Sequence, residues 1–203
     1  MNITDYQLGV LWGIGSYEKD RKRFVLRYRE KYFLEQLQNI TSTTGNIYLQ
    51  VDAGKEQYVL YIYNFSIEYL YDMNWTERNA DKRYLPPLNS YKDFLRSYIE
   101  IHSVLDYCTR YDNSKTKKNK CKALRLRIYG NKNILEGINV VLYKEAKVPP
   151  KTVQVLDNDK TAILYYTSLP QIESIFKYIE GTPCFDKYWD NVYEKLANPK
   201  IYI

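Results

Sequence analysis

Apolar and polar positions along the first part of the chain follow two different periods. Leu8, Leu11 and Trp12 have helical spacing, whereas residues 23–29 alternate strictly, as in a strand. The patterns predict, in order, a helix at 5–13, a strand at 23–29, a helix at 30–40, strands at 47–51 and 58–63, and a helix at about 66–73. This order predicts a mixed α+β unit.

The same order of elements returns in the second part of the chain. The patterns there predict a helix at 91–106, a strand at 123–129, a helix at 132–143, strands at 152–156 and 162–167, and helices at 170–179 and 185–196. Phe33-Leu34-Glu35 in the first part corresponds to Ile134-Leu135-Glu136 in the second. An internal repeat of this size predicts two copies of one structural unit.

The repeat predicts the domain organisation and the fold class. We expect an N-terminal repeat over 1–75, a linker over 76–90, a C-terminal repeat over 91–180 and a helical extension over 181–203. One αββαββα repeat cannot bury both its sheet and its helices, so two copies are expected to pack their first helices together about a pseudo-twofold axis. Gly9 and Gly13 would permit that close approach.

Positive charge is concentrated in the second part of the chain. The net charge is +6, yet residues 1–89 carry eleven basic and eleven acidic residues. Between Arg110 and Arg127, eight basic residues accompany one acid, Asp112. A localised basic segment suits a phosphate backbone, although a solvated lysine-rich loop has the same composition.

The amino-acid composition limits the classes of protein to which this chain can belong. No apolar run has the length of a membrane span, and the content of apolar residues, 45%, is sufficient for a packed core. The three cysteines are odd in number and lack the close pairs of a zinc site, so we expect free thiols and a cytoplasmic protein, in a bacterial or phage-infected cell. No cofactor is expected.

Two segments carry a resemblance to a known family. Residues 6–16 read YQLGVLWGIGS and resemble the LAGLIDADG signature in the form LLGLLWGDGS, and residues 94–103 read FLRSYIEIHS and resemble its second form, FLRGYFDGDG. With the predicted elements, the resemblance to single-chain LAGLIDADG homing endonucleases covers nearly the whole chain. It implies two sheets that form a saddle over duplex DNA. It also implies that the last turn of each motif helix carries one acid, and that the two acids hold the divalent metal for cleavage.

The chain departs from this family at both acid positions, which fall on Ile14 and His102. Isoleucine offers no ligand to Mg²⁺, which requires oxygen ligands, and histidine is a poor one. A relocated site that uses Glu100 with Glu18 or Asp20 would be needed for metal-dependent cleavage. His102 as a metal-independent general base is a further alternative, beside a purely structural histidine.

A second departure concerns the hairpin after the first motif. Only seven residues separate Gly15 from Arg23, where the family places a full hairpin, whereas the matching segment 108–122 is long and basic. The outer part of the N-terminal sheet is therefore expected to be shortened. Any nucleic-acid surface is expected to favour the C-terminal repeat.

These observations favour a catalytically inactive protein that binds duplex DNA, either a regulator or a domesticated mobile-element product. The expected contacts come from basic side chains and one tyrosine of the sheets and of the basic segment: Arg23, Arg27, Arg29, Arg110, Lys115, Lys117, Lys118, Lys120, Lys122, Arg125, Arg127 and Tyr129. Mg²⁺ is expected only if residual nuclease activity exists.

Three alternatives remain. The 23 tyrosines suit a protein-binding module, such as a phage- or plasmid-encoded inhibitor of a host defence system. Members of the family that bind folded RNA suggest an intron maturase, and a relocated metal site would give an active endonuclease. The internal pseudo-dimer predicts a monomer.

Overall fold

The computed structural model describes residues 3–41, 45–52, 54–63, 67–76, 83–112, 119–156 and 161–202. The chain forms two compact units. The first unit comprises Met1–Ile101 and Gly181–Phe185, and the second comprises His102–Glu180 and Asp186–Ile203. In the described residues, no helix is long and apolar enough to cross a membrane.

The first unit contains one antiparallel sheet and its helices. Its elements are α1 (Asp5–Ile14), β1 (Gly15–Glu18), β2 (Arg23–Tyr28), α2 (Lys31–Thr41), β3 (Ile47–Asp52), β4 (Lys55–Ile62), α3 (Ile67–Asp72) and α4 (Lys92–His102). The last residue of α4, His102, falls in the second unit. The strand order is β1-β2-β4-β3.

The second unit repeats the order of strands and helices that begins at β1 in the first. Its elements are β5 (Ser103–Asp112), β6 (Asn119–Gly130), α5 (Lys132–Ala146), β7 (Gln154–Val155), β8 (Ala162–Tyr166), α6 (Leu169–Ile179), α7 (Asp186–Ala197) and β9 (Lys200–Tyr202). The strand order β5-β6-β8-β7 matches that of the first sheet, and β9 pairs with β6 in addition.

The core of the first unit is built around α1. Thr4 and Gln7 form a capping box that begins the helix, and nearly every later residue of α1 is buried. A β-carbon on Gly9 would overlap Ser97 Oγ and the carbonyl oxygen of Phe94 on α4. The predicted close approach at Gly9 is confirmed, since only a residue without a side chain leaves α4 this room.

The core of the second unit follows from the alternation along β6. Leu124, Leu126 and Ile128 are buried on one face of the strand, as predicted. The apolar stripes of two helices cover that face: Ile134, Ile138 and Leu142 of α5, and Ile172, Ile175, Phe176 and Ile179 of α6. The other face of β6 is therefore free to carry Arg125 and Arg127.

Several predicted boundaries are wrong where strand pairing overrides local pattern. The helix predicted at 91–106 ends at His102, and residues 103–106 begin β5. The apolar spacing of Val104 and Leu105 fits either period, and the long pairing of β5 with β6 selects the strand. The strands β1 and β9 were not predicted, because each is too short to show a period.

The predicted shortening of the N-terminal hairpin is confirmed. β1 and β2 pair over four positions, from Gly15 with Leu26 to Glu18 with Arg23. β5 and β6 pair over ten positions, from Ser103 with Ile128 to Asp112 with Asn119. The two hairpins therefore have the same topology and different lengths.

Candidate nucleic-acid interface

One face of the second sheet points away from the core helices, and we call it the C-terminal outer face. Strand alternation assigns to it Val104, Asp106, Cys108 and Arg110 of β5, and Cys121, Ala123, Arg125, Arg127 and Tyr129 of β6. Arg125 and Arg127 are each about one quarter exposed, at 26% and 25%. Two arginines predicted to contact DNA therefore lie side by side on this face.

Both arginines bind one carboxylate, Asp106. Arg125 lies directly opposite Asp106 in the strand pairing and donates from Nε to Oδ1 over 3.0 Å and from Nη2 to Oδ2 over 2.9 Å. Arg127 donates from Nη2 to the same Oδ2 over 2.5 Å. Partial burial acts to raise the pKa of Asp106, but the hydrogen bond from Arg125 and the charge of Arg127 outweigh it, and the pKa lies below its usual value.

Arg127 retains hydrogen-bonding capacity. Within the described part of the chain, its buried Nε has no hydrogen-bond partner. Its guanidinium lies 5.8 Å from the ring centroid of Tyr129, also a predicted contact residue. A guanidinium has five N–H donors, and Asp106 binds only Nε and Nη2 of Arg125 and Nη2 of Arg127, so both arginines keep Nη donors for a ligand.

The structure describes only some of the other basic residues of this unit that are predicted to contact DNA. Arg110 on β5 and Lys122 on β6 are exposed. Lys120 lies in β6. Lys115, Lys117 and Lys118 lie outside the described residues.

The outer face of the first sheet holds its arginines differently. Arg23 is nearly buried, with its guanidinium carbon 3.6 Å from the ring centroid of Tyr61, its Nε 2.8 Å from Glu18, and its Nη1 3.1 Å from the Tyr63 hydroxyl. Arg27 donates to Ser16 Oγ over 3.1 Å and lies 3.8 Å from Glu18. Arg29 follows β2 and is exposed. Arg23 is thus enclosed by its partners, whereas Arg27 and Arg29 remain partly accessible.

The two sheets share one arrangement that sequence reasoning missed. In the first, Glu18 on β1 binds Arg23 and Arg27 of β2, and in the second, Asp106 on β5 binds Arg125 and Arg127 of β6. The sequence does not single out Asp106, because the pattern of residues 103–106 predicts a helix. Had the strand been recognised, its alternation would have placed Asp106 beside the arginines.

The two positions that correspond to the motif acids end their helices. Ile14 is the last residue of α1 and is buried, and His102 is the last residue of α4 and is half-buried. The hydrocarbon side chain of Ile14 provides no metal ligand, so the residues present do not fit a divalent cation. Across the described ranges, no group of three or more His, Cys, Asp or Glu side chains is placed to hold a metal ion.

Of the three acids of the predicted relocated metal site, two are bonded to other residues and the third is exposed in a turn. Glu100 is buried and accepts hydrogen bonds from the Tyr6 hydroxyl over 2.5 Å and from the Phe185 amide over 3.3 Å. Burial, the charge of Glu100 and the hydrogen bond to it together raise the pKa of Tyr6. Glu18 is paired with Arg23, and Asp20 lies exposed in the turn after β1.

Comparison with solved structures supports the resemblance to LAGLIDADG homing endonucleases, whereas comparison of sequences finds no match. No protein-family model and no curated protein sequence matches the chain. The I-LtrWI LAGLIDADG homing endonuclease bound to target DNA superposes with a TM-score of 0.61 at 15% identity, over 96% of this chain and 90% of that one. I-SmaMI bound to uncleaveable DNA with a TTGT central four gives 0.60 at 11% identity, over 98% and 89%.

The chain has the LAGLIDADG homing-endonuclease fold. A third structure, I-GzeII in complex with its DNA target, agrees, with a TM-score of 0.54 at 11% identity over 97% of this chain and 92% of that one. The fold expected from the two motif segments is therefore confirmed. The two segments that resemble the LAGLIDADG signature lie on α1 and α4, and Ile14 and His102 are the last residues of these helices.

Proposed function

We propose that this protein binds duplex DNA through its sheets, chiefly the C-terminal outer face, and does not cleave it with the acid pair of homing endonucleases. The role we propose is that of a regulator or a domesticated mobile-element product. One observation carries the proposal: Arg125 and Arg127 lie together, partly exposed, on the outer face of a LAGLIDADG-fold sheet. The solved structures of I-LtrWI and I-GzeII, which share this fold, are of the proteins bound to their DNA targets.

The distribution of charge supports this choice of surface. The β5–β6 hairpin holds Arg110, Arg125 and Arg127 on the C-terminal outer face, and strand alternation places Lys122 on the opposite face. Each sheet has an acid that offsets two arginines, Glu18 on the first and Asp106 on the second. Arg23 on the first sheet is enclosed by its partners, whereas Arg125 and Arg127 are both about one quarter exposed. Because phosphate contacts supply most of the affinity of a DNA-binding protein, the second sheet is the better candidate.

The chemistry of the motif positions supports the loss of cleavage. Ile14 cannot ligate Mg²⁺, and Glu100 is enclosed by Tyr6 and Phe185. Incubation of supercoiled plasmid with the protein in Mg²⁺ or Mn²⁺ tests this part. We expect no nicked or linear product, and site-specific ends would instead establish a relocated metal site.

The test of DNA binding measures fluorescence anisotropy of a labelled random-sequence duplex pool across a salt series. Arg125→Gln with Arg127→Gln is the informative variant, because glutamates at these positions would place three carboxylates together around Asp106. Wild type should show a log–log salt slope of roughly 0.9 per phosphate neutralised, and the double variant should bind at least about tenfold more weakly with a shallower slope.

A matched control removes two positive charges elsewhere in the same unit. Lys132→Gln with Lys144→Gln alters exposed side chains of α5, on the helical layer. This variant should bind like wild type. Equal weakening by both double variants would show a general charge effect and contradict the assignment of the outer face.

A protein partner is the second candidate, favoured by the tyrosines of the first sheet. Tyr48 and Tyr63 are 50% and 52% exposed, and Tyr61 lies between them at centroid distances of 5.8 and 6.4 Å. Tyrosine and arginine are common at the energetic centres of protein interfaces. Loss of a captured protein on Tyr48→Ser with Tyr63→Ser, without loss of DNA binding, would support this function.

A further inference from the structure

Asp106 stands out on a surface otherwise suited to phosphates. Among the described side chains of the C-terminal outer face, it is the one acid, and it accepts all three hydrogen bonds formed there by Arg125 and Arg127. A carboxylate within a phosphate-binding surface repels the duplex backbone. Its presence therefore needs a reason other than affinity.

The geometry supplies one reason, which is orientation. Asp106 engages the Nε–Nη2 edge of Arg125, and it engages Nη2 of Arg127 from a diagonal position across the strands. Free arginine side chains lose rotamer freedom when they bind, and a side chain that is already held loses less. The donors left on each guanidinium are then presented in one direction, as bidentate contact with a guanine edge requires.

The charge supplies a second reason, which is discrimination. Two arginines and one aspartate carry a net charge of one at this site, so attraction to any phosphate is reduced. Phosphate contacts carry no sequence information, whereas base-edge contacts do. An acid that lowers the first contribution and orients donors for the second raises the ratio of target to non-target affinity.

We propose that Asp106 is the specificity-determining residue of the C-terminal outer face: it fixes the orientation of Arg125 and Arg127 and weakens their binding to non-target duplex. This inference rests on the proposed DNA-binding function. Asp106 acts through the two arginines and is in that sense a positioning residue.

The experiment compares target and non-target affinities in Asp106→Asn. Wild-type protein first selects a preferred duplex from a random-sequence pool, and dissociation constants are then measured for that duplex and for a scrambled duplex of equal composition. Removal of the charge should tighten binding to the scrambled duplex about three- to tenfold and steepen its salt dependence. The target to non-target ratio should fall about tenfold, because the arginines lose their common anchor.

Two further variants separate charge from geometry. Asp106→Glu keeps the charge and changes the reach, so binding to the scrambled duplex should match wild type while binding to the target weakens. Glu136→Gln removes one exposed acid on α5, which lies 3.7 Å from Lys132, and should leave the ratio unchanged. Thermal melting of each variant shows whether it is folded. If Asp106→Asn is unfolded, the measurements on Asp106→Glu test the proposal instead.

The possible failures are distinguishable. If wild type binds no duplex at all, the proposed function fails and this inference fails with it. If wild type selects a target but Asp106→Asn keeps the ratio of wild type, DNA binding stands and the role of Asp106 is wrong. The proposal would also be wrong if Asp106→Glu and Asp106→Asn weakened affinity for the target equally and neither raised affinity for the scrambled duplex.

Discussion

At the scale of single residues, single carboxylates in this protein accept hydrogen bonds from two different residues. Asp106 serves two arginines on the second sheet, and Glu100 serves a buried hydroxyl and an amide in the first unit. A buried or half-buried charge is costly unless its hydrogen bonds are satisfied. Loss of one partner should therefore change the free energy of unfolding measurably.

Tyr6→Phe should destabilise the protein by about 1.5–3 kcal/mol, the range for a hydrogen bond to a charged group. The Tyr6 hydroxyl is buried and donates to Glu100 over 2.5 Å, so its removal leaves a buried carboxylate with one donor fewer. Chemical denaturation measures the change. Tyr143→Phe, which alters a side chain 56% exposed, is the control and should change stability by no more than about 0.5 kcal/mol.

The contribution of Asp106 to stability should depend on pH. Its folded-state pKa lies below the reference value of 3.8, so the ion pairs stabilise the folded state fully above that value. The contribution is lost as pH falls through the folded-state pKa. The difference in unfolding free energy between wild type and Asp106→Asn should thus be constant near neutral pH and shrink in acid, and a difference that persists unchanged at low pH would refute the assignment.

At the scale of elements, hairpin length and helix contact distinguish the two units. The β5–β6 hairpin presents ten paired positions, against four in β1–β2, so it offers the longer outer face. In the first unit, α1 approaches α4 closely at one glycine, Gly9. Such contacts tolerate little change, because protein interiors are closely packed.

Gly9→Ala should destabilise the protein by at least about 1–3 kcal/mol, the usual cost of overpacking. In an exposed helix the same change would stabilise by roughly 0.5–1 kcal/mol, so the sign of the effect reports the contact with α4. Thermal or urea unfolding measures it. Adding Ser97→Ala should recover only part of the loss, since the carbonyl of Phe94 still meets the new methyl group; a stabilised single variant would contradict the close approach.

At the scale of the whole molecule, the first unit takes one segment from the far end of the sequence. Gly181–Phe185 belongs to it, although the chain before and after forms the second unit. Pro183 accepts a hydrogen bond from buried Arg96 over 2.9 Å, and Phe185 stacks on Phe33 at 3.9 Å between ring centroids. The stability of the first unit therefore depends on residues far from it in sequence.

Phe185→Ala should cost about 3–5 kcal/mol, as expected for removal of a buried aromatic ring. The ring is 3% exposed and contacts both Phe33 and Tyr6. Urea unfolding followed by circular dichroism measures the loss, and Phe185→Leu, which keeps most of the apolar volume, should lose clearly less. A Phe185→Ala protein as stable as wild type would show that the segment does not support the first unit.

The duplicated α+β organisation and the shortened N-terminal hairpin follow from the amino-acid sequence alone, as do the isoleucine and histidine at positions 14 and 102. Periodicity, spacing and residue identity are local properties, so Leu124, Leu126 and Ile128 on β6 and Ile14 at the end of α1 could be assigned from the chain alone. The pairing of the charges, by contrast, depends on the folded chain. Strand register joins Asp106 to Arg125 across 19 positions, and segment packing joins Glu100 to Phe185 across 85. Such contacts depend on where distant segments meet, which local pattern does not encode.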